Sequence, residues 1–270
     1  MENEEKARKM CVSGNDSGII CNVSVCMRGG GTAAPDKGQK TEVETEKPAK
    51  ETGKKKVLTV NEAFHQEGIW FYSPDGTPGK NRKIQAIMAF DGKGNVTSYE
   101  TQCGESDSFE WATTYSDLKD LSEEEILELA KELDRKVFDD LKARDLNAEA
   151  KGPQKDTLHA QIEAVEYREP QPQPFTIRVL TDQTGNNTVN EIIEYPYSTY
   201  IPGYDPFGDY TDKLGMYEKL NAKIELYPSP ENSTVYDKQF NGFGKLFVQV
   251  GEGHPGFALD SPDTEGVQVD

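Results

Sequence analysis

The chain is 270 residues long and carries 48 acidic against 30 basic residues, a formal charge of −18, with a mean hydropathy of −0.75. That charge opposes adsorption to phosphate backbones and anionic headgroups, so nucleic acid is not expected as a partner, and a membrane only through a lipid anchor. No run approaches the ~18 apolar residues of a spanning helix, and of the four cysteines only Cys103 lies in patterned sequence, which leaves no disulfide to close within the folded part.

Lys, Glu, Thr, Gly and Pro dominate residues 1–56, the composition of a disordered tether. Cys11, Cys21 and Cys26 fall in it without a Cys-x-x-Cys pair, so a structural zinc site is not expected, and Cys11 and Cys26 are the candidates for lipid attachment. Residues 57–250 are expected to form the folded body, with a possible subdivision near 147–157, and residues 251–270 a disordered acidic tail.

Within the body, Asn61 reads as the cap of a short helix through Phe64, followed by an aromatic strand, Gly68-Ile69-Trp70-Phe71-Tyr72. Alternation of Ile84, Ala86, Met88 and Phe90 predicts a half-buried strand. Asp91-Gly92-Lys93-Gly94-Asn95 turns it, and residues 96–102 return as its antiparallel partner. Apolar residues from Ile126 to Leu141 recur at three- and four-residue spacing on one face of a long helix, about 122–146, opened by a capping box from Ser122 and Glu125. Strands are then expected over 158–167, with Leu158, Ala160, Ile162 and Ala164 inward, and over 175–180, 189–195, 222–227 and 245–250. A Tyr-, Gly-, Pro- and Asp-rich loop is expected over 196–221. With no fixed-period repeat, the fold class that follows is α+β: an antiparallel sheet or partly open barrel with one long central amphipathic helix.

Three sets of residues are candidates for function. Gly68-Ile69-Trp70 resembles the Gly-x-Trp opening of lipocalins, a resemblance that implies a barrel holding an apolar small ligand under Trp70; the plainer reading is a core tryptophan. Asp205, Asp209 and Asp212 gather carboxylate oxygens in one loop, donors that suit Ca²⁺ although the spacing is not that of an EF-hand. Tyr200, Tyr204 and Tyr210, with Tyr195 and Tyr197, offer a stacking and hydrogen-bonding surface for a protein, glycan or small-molecule ligand. His65, His159 and His254 pair with no nucleophile motif, and no phosphate-loop pattern is present.

A polar tether carrying cysteines, followed by a β-rich body with the segment Leu118-Lys119-Asp120-Leu121-Ser122-Glu123-Glu124-Glu125, resembles the small surface lipoproteins of Gram-positive bacteria. The resemblance implies lipidation on a cysteine and a cell-surface address. Arg8-Lys9-Met10-Cys11 and Ser24-Val25-Cys26 depart from the Leu-x-Ala/Gly-Cys box of that family, and with Met1 as the native start the address is the cytoplasm. The expected function is a non-catalytic, monomeric surface binding module. The alternatives are a secreted hydrolase using the carboxylates of the 205–212 loop and a lipocalin-like carrier.

Overall fold

The computed structural model describes residues 56–102, 113–147, 155–203, 215–229 and 231–270. In chain order these form β1 (Leu58–Thr59), α1 (Val60–Phe64), β2 (Glu67–Tyr72), β3 (Ala86–Asp91), β4 (Asn95–Glu100), α2 (Glu123–Asn147), α3 (Lys155–Glu163), β5 (Gln173–Pro174), β6 (Thr176–Thr181), β7 (Thr188–Ile201), β8 (Met216–Leu226), β9 (Ser233–Val235), β10 (Lys238–Phe243), β11 (Leu246–Val250), β12 (Phe257–Ala258) and β13 (Gln268–Val269). A seven-stranded sheet runs β5-β4-β3-β2-β11-β10-β9, a four-stranded sheet runs β13-β6-β7-β8, and β1 pairs with β12. The described residues are therefore mostly β with one long helix, and the sheets are not closed into a barrel.

Successive residues of a strand point to opposite faces, and the large sheet uses both. Trp70 of β2 and Met88 and Phe90 of β3 face a core shared with the four-stranded sheet, where Ile177, Ile193, Ile224 and Leu226 meet them. Ile69, Phe71 and Ile87 face the other way, against Ile126 and Ala130 in the first half of α2. The expected half-buried strand is thus covered on both sides: Ile87 and Met88 are both fully buried. The predicted β3–β4 hairpin is present, with Met88 opposite Ser98 and Phe90 opposite Val96. Helix α2 starts as expected, the Ser122 hydroxyl accepting from the Glu125 N–H (3.3 Å) while the Glu125 carboxylate accepts from the Ser122 N–H (2.8 Å).

Helix α1 has only five residues, far too few to hold on its own, and tertiary contacts hold it. Its cap is Thr59, in a capping box with Glu62, so the expected cap at Asn61 is displaced by two residues. The side chain it exists to place is Phe64, which stacks on Phe90 (4.6 Å between ring centroids) and meets Trp70 edge-on (4.8 Å), with Phe243 at 5.7 Å.

Three other segments depart from the sequence reading. Residues 158–163, expected as part of a strand, lie in α3. Leu158, Ile162 and Val165 fit helical spacing as well as Leu158, Ala160 and Ile162 fit alternation, and the helix that forms is joined to α2 by Lys142, which donates to the carbonyls of Glu163 (2.9 Å) at its end and Val165 (2.7 Å) just beyond it. Most of the stretch expected as a loop over 196–221 that is described belongs to β7 and β8, with Tyr197 opposite Leu220 and Tyr200 opposite Tyr217. Pro196 is accommodated because β6 pairs with β7 only as far as Thr176 with Glu194, so beyond that point β7 has a neighbour on one side. Finally, residues 251–270 are laid onto the body and not left as a free tail: β12 pairs with β1, β13 pairs with β6, and Phe257, Leu259 and Val267 pack against the core. Their apolar residues are too widely spaced for a composition average to register.

Phe64→Ala removes the ring at the junction of both sheets and leaves a cavity that its aromatic neighbours cannot fill by rotation. Urea unfolding is expected to show a loss of about 3–5 kcal/mol; a loss below about 1 kcal/mol would contradict this packing.

Candidate functional site

Helix α2 is longer than the sheet it covers, and its second half meets the outer part of the β7–β8 hairpin. There Phe138 forms the centre of an aromatic collar, edge-on to Tyr200 (5.3 Å), stacked on Tyr217 (5.8 Å, 18° between planes) and tilted against Tyr167 (5.7 Å). The collar is tied by two carboxylates on the apolar side of α2. Asp145, 1% exposed, accepts from the Tyr200 hydroxyl (2.6 Å) and the Gly203 N–H (2.9 Å). Asp134 accepts from the Glu100 N–H (2.8 Å) at the end of β4 and from the Tyr167 hydroxyl (2.9 Å).

Between this collar, the edge of β4 and the segment 168–173 lies a cleft. A narrow inner cavity of about 20 Å³ reaches Asp134 and Phe138, room for about one water. It adjoins an outer cavity of about 250 Å³, the two sharing Ser98, Arg168, Tyr197 and Ser198 as walls. Gln171, Gln173 and Lys219 contribute further polar groups to the outer cavity, and Tyr195 and Pro196 contribute flat apolar surface. Its rim is the run Pro170 to Pro174, where Pro fixes the backbone before any ligand arrives and Gln171 donates back to the Glu169 carbonyl (3.1 Å). Arg168 is positioned by its own N–H, which donates to the Tyr217 hydroxyl (2.9 Å), and its guanidinium lies 5.0 Å from the centre of that ring.

The electrostatics follow from burial. Loss of hydration pushes the Asp134 carboxyl up to about 6, against the opposing pull of its two hydrogen bonds. Burial likewise raises the Tyr197 hydroxyl to about 12, with the charge of Glu100 adding to it. Tyr200 is held above the ordinary tyrosine range first by burial and then by its bond to Asp145. What the arrangement offers chemically is a small concavity with tyrosines, amide and hydroxyl groups for hydrogen bonding, and the charged residues Arg168, Lys219 and Glu169 in its lining.

Of the residues singled out in the sequence, Tyr200 reaches this region, but it is 3% exposed and bonded to Asp145, so it supports the cleft from behind. Trp70 is elsewhere, 3% exposed between Phe64 and Phe243, and the open sheets form no cup around it. Tyr204, Tyr210, Asp205, Asp209, Asp212, Cys11 and Cys26 lie outside the described residues. Tyr195 and Tyr197, named with the tyrosine surface, line the outer cavity, whereas Asp134, Arg168 and Lys219 carry no such expectation. The signal for Asp134 was there: it sits four residues after Ala130 and four before Phe138, a carboxylate on the apolar stripe of an amphipathic helix.

Because the folded-state value of Asp134 is raised above its ordinary 3.8, it contributes stability that is complete below that value and lost as pH rises through about 6. Asp134→Asn is expected to remove this part of the pH dependence of the melting temperature between about pH 4 and 6, while Asp134→Ala, which strands the Glu100 N–H and the Tyr167 hydroxyl, costs about 1–3 kcal/mol at pH 7. Thermal unfolding of the two variants across that range checks both. Compared with known protein families, curated proteins and solved structures, the chain matches none.

Proposed function

We propose that this protein is a non-catalytic binding module, carried at the cell surface, that holds one ring-sized polar ligand in the cleft between α2, the β7–β8 hairpin and the 168–173 segment. The observation that carries the reading is the outer cavity of about 250 Å³, lined by Tyr195 and Tyr197 together with Ser, Gln, Arg, Lys and Glu residues. Ligand sites combine an apolar or aromatic body with a few placed polar groups, and this volume suits a fragment at the small end of that class. A terminal monosaccharide of a glycan meets the description: one face stacks on Tyr197 and the hydroxyls pair with Gln171, Gln173 and Ser98. Asp134, the acid whose affinity for a proton is most altered here, has one oxygen committed to a backbone N–H and the other to a tyrosine hydroxyl. That favours a supporting role over acid–base chemistry. The surface address rests on the layout that the chain shares with Gram-positive surface lipoproteins.

The ligand is sought by titrating a panel of mono- and disaccharides into the ¹⁵N-labelled protein. Saturable shifts confined to the β7–β8 hairpin and residues 168–173 are expected, with affinity reduced about tenfold or more by Tyr197→Ala, the loss of a stacking anchor. A panel without saturable shifts, or binding untouched by that substitution, would sink the cleft reading. The address has its own test: mass spectrometry of the protein from its own host should find a lipid on Cys11 or Cys26, and an unmodified cytosolic product would refute it.

A further inference from the structure

We propose that Glu191 and Asp260 share a single proton, and that this shared proton is a pH-sensitive latch holding residues 257–270 on the body. Glu191 lies on β7 with Val179 and Leu226 as its cross-strand neighbours, both fully buried, so its side chain stands in apolar surroundings and is itself inaccessible. Asp260 follows β12 and is 1% exposed. Each carboxyl has one oxygen accounted for. Glu191 Oε1 accepts from the Asp260 N–H (2.5 Å), and Asp260 Oδ2 accepts from the Asn61 N–H (2.7 Å) in α1.

The other two oxygens, Glu191 Oε2 and Asp260 Oδ1, are buried and have no hydrogen-bond partner among the described residues. Two carboxylates cannot both stay charged in such a place with one oxygen of each left without a donor. The two side chains are within hydrogen-bonding reach of each other, and among the described residues Asp260 is the one ionisable group that bears on Glu191. A proton on Glu191 Oε2 turns that oxygen into a donor to Asp260 Oδ1, satisfies both orphans and removes one charge. Burial first, and then the charge of Asp260, push the Glu191 carboxyl up to about 8.

The position of the pair gives the proton a structural consequence. It joins α1, β7 and the C-terminal segment at one point, and Thr188 adds a bond from its hydroxyl to the Asp260 carbonyl (2.6 Å). From there the segment carries Phe257 onto Trp70 (5.6 Å) and Phe243 (5.0 Å), and β13 onto β6. A folded-state value raised above the ordinary 4.5 of Glu191 means that the latch's contribution is complete below that pH and is lost as pH rises through about 8. Removing the proton places two charges side by side, and the segment is the part free to move away.

The test uses the full chain, wild type, Glu191→Gln and Asp260→Asn, with melting temperature and amide hydrogen exchange followed from pH 5 to 9.5. In the wild type, exchange of the Asn61, Asp260 and Asp270 amides, the last donating to the Val179 carbonyl (3.2 Å), corrected for intrinsic rate, is expected to quicken about tenfold or more between pH 6 and 9, and the melting temperature to fall over the same range. Either carboxamide supplies a permanent N–H donor, so both variants should keep these amides protected at pH 9 and lose the dependence. Should Glu191→Gln not fold, Asp260→Asn decides alone, and the ¹³C shift of the Glu191 carboxyl in the wild type should titrate near 8. Unchanged pH dependence in the variants, or a Glu191 midpoint near 4.5, overturns the proposal. So does a rise in the wild-type melting temperature with calcium at pH 8 that Glu191→Gln abolishes, since the pair would then hold a cation.

Discussion

The architecture depends on one aromatic ring. Phe64 is presented by a five-residue helix that has no stability of its own, and it fills the space where β2, β3 and β10 converge on the four-stranded sheet. Everything near it is arranged to keep that helix in place: the Thr59–Glu62 capping box at its start, the Asp260 carboxylate on the Asn61 N–H, and Trp70 and Phe90 on the ring itself. Two sheets and the C-terminal segment therefore share a single packing element, so a disturbance in any of the three is felt by the other two.

The cleft inherits its form from a mismatch of lengths. Strand β7 has fourteen residues and β6 only six, so the outer half of the β7–β8 hairpin leaves the small sheet unsupported on one side. Helix α2, at twenty-five residues, overshoots the large sheet in the same direction. The two overhangs meet through Phe138, Tyr200 and Tyr217, and the gap between that contact and the edge of β4 is the cavity. Since each wall belongs to a different element, the shape of the site is set by how firmly Asp134 and Asp145 tie them.

What the sequence made legible is what local periodicity encodes. The β3–β4 hairpin and α2 repeat their apolar residues at a fixed interval and have unambiguous turn or cap residues at their ends, so they could be placed to within a residue or two. Residues 158–163 fit two periods at once, and the contacts that accompany the helical one, such as those of Lys142, belong to another element. Lys219 carries no local mark of a site, and Tyr197 is marked only by the tyrosines around it. They line the cleft only because β7 and β8 pair far beyond the end of β6, a consequence of register that no window of sequence contains. Trp70 misleads for the opposite reason, a motif-like trio of residues whose ring is consumed by the core.

The pairing of Leu58 with Phe257, and of Trp70 with Val248, sets the order in which the molecule is completed. The central strand of the large sheet waits for a partner about 180 residues further along the chain, and the loop between them must close before either gains its neighbour. A ribosome therefore releases nearly all of this body before its middle strand is flanked on both sides. Until then the hairpin of β3 and β4 and helix α2, built from near contacts, are the parts that form, with β2 left as an apolar edge that the last fifth of the chain must cover.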